Sequence, residues 1–155
     1  MKFLSRIASA AFIACWVFGA HAQISPQPVP PPALHVENAW VRLLPGTLPA
    51  AGYFTLVNDS ARSATLTAAT SPSWHMVMMH RSRGEHGEAT MSMVGSVTVP
   101  PHGQVAFAPG GYHLMLEGAH APLAAGGQAT ITLHFADTTT LPVEFALKPA
   151  DATGP

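Results

Sequence analysis

An all-β domain, either an antiparallel β-sandwich or a Greek-key barrel, is predicted by three observations. Short runs rich in β-branched, aromatic and other apolar residues follow one another, turn residues separate them at regular intervals, and beyond residue 22 no stretch sustains a 3.6-residue apolar period. The expected strands are residues 35–43, 52–58, 64–69 and 74–80, then 89–99 as one run or as two broken at Gly95, and then 104–108, 112–116, 129–135 and 143–148. Pro45-Gly46 closes the first run, and Asn58-Asp59-Ser60 the second. Ser71-Pro72-Ser73, Arg83-Gly84, Pro100 to Gly103, Pro109 to Gly111, Gly126-Gly127 and Asp137 to Thr140 supply the later turns.

Residues 1–22 are set apart as a cleavable signal peptide. A basic start (Lys2, Arg6), an apolar run from Ile7 to Ala20 and the small-x-small ending Ala20-His21-Ala22 have the layout of an export signal. Cleavage after Ala22 leaves 133 residues, room for one domain with an adequate core. No later stretch approaches the roughly 20 apolar residues that a spanning helix needs, so no membrane insertion is expected. Cys15, the one cysteine, lies in the apolar run, so the mature chain has neither disulfide nor thiolate ligand. The alternative is a lipoprotein with Cys15 as its modified first residue, although the apolar run continues past it through Trp16, Val17 and Phe18. Residues 23–33, QISPQPVPPPA, form a proline-rich linker, 34–148 the domain and 149–155 a short tail. After cleavage five basic residues remain against eight acidic ones, a formal charge of minus three with no basic block, which argues against nucleic acid and anionic membrane surfaces as partners.

The stretch WHMVMMHR, residues 74–81, concentrates sulfur and imidazole. In an extended strand Trp74, Met76, Met78 and His80 share one face, and His75, Val77 and Met79 the other. Methionine is an ordinary core filler, so packing is the expected role of Met76, Met78 and Met79. Met91 and Met93 share a face of the next run, after a polar connection of hairpin length. PGGYHLML then puts His113 and Met115 on one face, roughly 7 Å apart along the strand. Imidazole nitrogen and thioether sulfur are neutral, soft to borderline donors that suit Cu(I) and serve calcium, magnesium or structural zinc poorly.

Ten residues separate His80 from Met91, twenty-one separate Met91 from His113, and one separates His113 from Met115. This spacing resembles the signature of the PCuAC family of periplasmic copper chaperones, and NAWVR, AAGYFTLVN, PPHG, PGGYHLML and TITLHF resemble that family in the same order, over about residues 34 to 148. The resemblance implies a cupredoxin-like β-sandwich holding Cu(I) through His80, Met91, His113 and Met115. It also implies a monomeric periplasmic carrier that delivers copper towards cytochrome c oxidase in concert with Sco-type thiol proteins. Two departures stand out. Arg81 follows the first histidine, where an acidic residue is common in the family, and the sequence ends in ADATGP without the His- and Met-rich tail that supplies some members with a Cu(II) site.

His and Met ligands hold Cu(I) without offering a sulfur that can close a disulfide, an advantage where thiols are oxidised. His75 and Met93 are candidate accessory ligands. Trp40 and Tyr112 are candidates to cover the metal, core packing being the expected role of both and above all of Trp40. His35, His86, His102, His120 and His134 lie near turns or on the outer face and are read as structural or exposed. No nucleophile, cysteine or carboxylate pair stands in a recognisable arrangement, so no enzymatic activity is expected. Copper storage or resistance, and a non-metal β-sandwich interaction module, are the competing functional readings.

Overall fold

A computed structural model describes residues 33–85 and 88–155; the expected signal peptide, Cys15, His86 and nearly all of the proline-rich linker lie outside the described residues. The strands are β1 (Leu34–Arg42), β2 (Ala50–Asn58), β3 (Ala64–Thr70), β4 (Trp74–Glu85), β5 (Glu88–Met93), β6 (Val97–Val99), β7 (Gly103–Phe107), β8 (Tyr112–Ala119), β9 (Gln128–Phe135) and β10 (Thr140–Lys148). The run over 89–99 is two strands, broken around Gly95.

The strand order β5-β4-β8-β7-β2-β1-β10-β9-β3-β6 folds over a single core, with β8 also bonded to β2. Phe54 of β2 stacks on Phe107 of β7 at 4.3 Å between centroids and meets Phe145 of β10 edge-on at 5.6 Å, so both layers share one aromatic centre. Leu56, Leu66, Leu114, Ile131 and Leu133 close around it, fully buried. Strand alternation produces this division: in β8 Leu114 and Leu116 point to the core, while Met115 and Glu117 are half-buried on the other face. β8 approaches β2 closely because Gly52 lies between them. A Cβ there would stand 3.2 Å from that of Leu114.

Two pairs depart from the antiparallel expectation: β1 runs parallel to β10, and β7 to β8. β10 also starts earlier than expected, at Thr140, with Pro142 inside it. A proline fits there because β10 pairs with β1 only over residues 146–148, so at Pro142 the strand is bonded on its β9 side alone.

In β1, Asn38 takes a left-handed φ of 53°, a conformation asparagine tolerates, and the register against β2 slips between Glu37 and Trp40. Beyond the bulge Val41 enters the core. Trp40 is buried outside that core, against Tyr53 at 4.7 Å, in a cavity lining shared with Thr153 to Pro155. The expected packing role of Trp40 holds, in a second small layer rather than in the main core.

Candidate metal centre

Three neighbouring strands carry the four expected ligands on one face. In the ladder His80 of β4 stands opposite His113 of β8 on one side and opposite Met93 of β5 on the other. Met91 is opposite Ser82, and Met115 opposite Met78. Directly paired residues point the same way, so Met78, His80, Met91, Met93, His113 and Met115 share a face of the sheet. Met91 and Met115 are each diagonal to His80, roughly 7 Å away in such a ladder, which long side chains can span. The sequence spacing is therefore a consequence of the ladder: the β4–β5 hairpin brings Met91 back beside His80, and β8 supplies two donors two residues apart.

The two imidazoles lie with centroids 5.9 Å apart and planes at 72°. Nitrogen ligands sit roughly 2 Å from an ion of this kind, which places the centroids of two rings sharing it about 5–6 Å apart. His113 is 8% exposed, and its Nδ1 lies 3.2 Å from the Gly111 carbonyl oxygen. A carbonyl only accepts, so Nδ1 carries the proton and donates it, and Nε2 keeps its lone pair for a metal. Tyr53, 6.5 Å from His113, backs this ring and is itself held by a 2.8 Å hydrogen bond from the Arg42 guanidinium.

His80 shows the complementary feature. Its Nδ1 is fully buried and has no hydrogen-bond partner among the described residues. A buried polar nitrogen without a partner is costly in an ordinary interior and is what a ligand shell would satisfy. Among the described residues no three His, Cys, Asp or Glu side chains gather into a metal site, and the soft donors that stand beside the two imidazoles in the ladder are thioethers. Met91 is 52% exposed and Met93 72%, which leaves both side chains open to solvent.

Burial lowers the His80 imidazole pKa below its usual 6.5; a protonated His113 would push it further down, and the Glu117 carboxylate opposes both. Above that value the ring is neutral in folded and unfolded chains alike. As pH falls through it the unfolded chain takes the proton first, so stability falls until the folded value is passed. An NMR titration of the metal-free protein is expected to place His80 below 6.5, and lower still in Glu117→Gln. A His80 titration at or above 6.5 would overturn this electrostatic account.

Of the accessory candidates, Met93 is in place, directly opposite His80. His75 is not: five residues from His80, it stands roughly 17 Å away along β4, beside Gly118 and between the Trp74–Ala119 and Met76–Glu117 pairs. Met79 packs in the core as expected, whereas Met78 faces the site and Met76 is 44% exposed. Trp74 is buried in the core instead of sharing the outer face. Tyr112 does not cover the ligands; it packs on Phe107 and lies under the Arg81 guanidinium at 4.8 Å. His134 bonds Thr70 Oγ1 at 2.7 Å, and His35 pairs with Asp59 at 3.0 Å, so both have structural roles. The backing by Tyr53 and Arg42 has no signature in the sequence. The bulge that brings Trp40 and Tyr53 together has no local signal beyond an asparagine.

A two-layer strand sandwich with two imidazoles and several thioethers on one face defines a cupredoxin-like domain. The chain belongs to the LpqE-like family, described as "Putative lipoprotein LpqE-like", whose family model matches residues 34–147. It is 33% identical over 116 residues to "Putative lipoprotein Lxx21020" of Leifsonia xyli subsp. xyli (strain CTCB07), covering 74% of this chain and 69% of that one. Among solved structures it is similar to "apo PmoF2 PCuAC domain", with TM-score 0.65 and 26% identity over 79% of this chain and 94% of that one. It is also similar to "CuI-DR1885" from Deinococcus radiodurans, with TM-score 0.60 and 31% identity over 79% and 81% of the two chains. The likeness to PCuAC domains expected from the motifs therefore holds for the fold.

Proposed function

We propose that this protein is an exported copper carrier, not an enzyme, which holds one Cu(I) through His80, Met91, His113 and Met115 and passes it towards cytochrome c oxidase. The observation that carries the reading is the His80–His113 pair, 5.9 Å apart, with a buried Nδ1 of His80 that has no hydrogen-bond partner among the described residues. The printed names of the solved relatives, a PCuAC domain and a "CuI" form, support copper as the cargo. Neutral donors favour the monovalent ion over harder divalent ones. A site open to solvent on the thioether side also suits hand-over by ligand exchange to a cysteine-bearing, Sco-type partner, with this chain acting as a monomer. The lipoprotein description of the family supports export, and the mass of the mature N-terminus separates cleavage after Ala22 from lipid attachment at Cys15.

Purified protein is expected to take one Cu(I) from a strong Cu(I) chelator, with X-ray absorption showing mixed nitrogen and sulfur ligation. Failure to compete with the chelator would sink the reading. Storage is the second reading, favoured by the two further thioethers, Met78 and Met93, on the same face. A stoichiometry above one Cu(I) per chain would select storage, and loss of oxidase copper loading on deletion under copper scarcity would select delivery.

A further inference from the structure

A second pair of imidazoles stands at the other end of β4 and β8, away from the centre just described. His75 and His120 face each other with centroids 6.3 Å apart and planes at 89°. Both are exposed. The ladder explains their meeting: Trp74 pairs with Ala119, the His120 N–H donates to the Ser73 carbonyl at 3.0 Å, and His75 is therefore diagonal to His120 across the last rungs. The residue beside His75 is Gly118, in a left-handed conformation with φ 65°; a Cβ there would come within 3.0 Å of the His75 Cβ. Without that side chain, the space beside the two rings stays clear. His120 also lines a surface cavity of about 460 Å³ with Leu48, Trp74 and Pro122, which leaves room for water to complete a coordination shell.

We propose that His75 and His120 form a second metal site, selective for a borderline divalent ion, with Cu(II) preferred over Ni(II) and Zn(II). The ring separation lies near the 5–6 Å that two imidazoles sharing one ion require, roughly 2 Å from each nitrogen, and small side-chain rotations of exposed residues bring it into range. The donor set decides the ion. Imidazole and water without sulfur suit divalent copper, nickel and zinc, and the intrinsic order of affinities puts Cu(II) first. The chain would thus carry two copper sites of different softness, roughly 17 Å or more apart along β4, one reading the monovalent and the other the divalent state.

Titration of the protein with copper(II) sulfate, followed by electron paramagnetic resonance and by quenching of Trp74 beside His75, tests this. The wild type is expected to give one nitrogen-ligated Cu(II) signal per chain. His75→Ala and His120→Ala are expected to weaken that binding by about tenfold or more, in line with losses at metal sites, with melting temperature and Cu(I) uptake unchanged. His80→Ala is expected to retain the signal. Absence of any Cu(II) signal, its survival in both His75→Ala and His120→Ala, or its loss in His80→Ala would each overturn the proposal. Cu(I) uptake is read separately, so failure here leaves the first site untouched.

Discussion

Replacing His113 by Ala, or Met115 by Leu, is expected to weaken Cu(I) binding at least about a hundredfold. Loss of an outer partner of a metal ligand already costs 10–100-fold, and these residues are proposed to touch the ion. The fold should survive, because Met115 is half-buried on the outer face and the core side of β8 is carried by Leu114 and Leu116. Met91→Leu and Met93→Leu form the informative pair. Met91 is diagonal to His80 and Met93 directly opposite it. The expected result is a large loss for Met91→Leu and less than about threefold for Met93→Leu, a difference of under 1 kcal/mol by the usual conversion. The reverse order, measured by chelator competition, would transfer the fourth ligand to Met93. Unchanged affinity in both and in Met115→Leu would remove the thioethers from the site altogether.

Asn58→Ala is expected to be strongly destabilising for a polar substitution away from the metal face. Asn58 is fully buried at the end of β2, where its Nδ2 donates to the carbonyls of Arg62 at 2.7 Å and Pro100 at 3.1 Å. Its Oδ1 accepts from the Ser60 N–H at 3.1 Å and the Ser60 hydroxyl at 2.8 Å. One amide thus ties the turn after β2 to the turn after β6. Buried groups left without partners cost about 1–3 kcal/mol each, and water can reach the Arg62 side, so a net loss of about 2–3 kcal/mol is expected. For a domain of this size that lowers the melting temperature by about 10 °C. A change within about 2 °C would show that water replaces the amide without loss.

Much of the fold could be read from alternation and turn residues, because strands one face of which is buried write a period of two into the sequence. What could not be read was pairing. The parallel contact of β1 with β10 depends on which strands meet across the sandwich, and no residue in either strand announces it. The four candidate ligands come from the resemblance of their spacing to the PCuAC signature, and the β4–β5 hairpin and β8 explain why that count between donors is fixed. Packing is the role the sequence predicts for Met78, yet its partner in the ladder is Met115. His120 reads in the sequence as a histidine near a turn, because only the β4–β8 register brings it beside His75. In both cases sequence gave the donor and the cross-strand partner gave it a neighbour.

β5 sits at the rim of the sheet, hydrogen-bonded among the described strands to β4 alone, whereas β4 and β8 lie within it. Mechanically, the proposed site is a clasp: two firm jaws on the inner strands and one on a strip of chain that can lift. Inner strands part only with much of the fold, while a rim strand can open at smaller cost. An ion grasped by all three would stitch the rim down, and a partner that pairs with the free edge of β5 would be placed to loosen one stitch while the other jaws still hold.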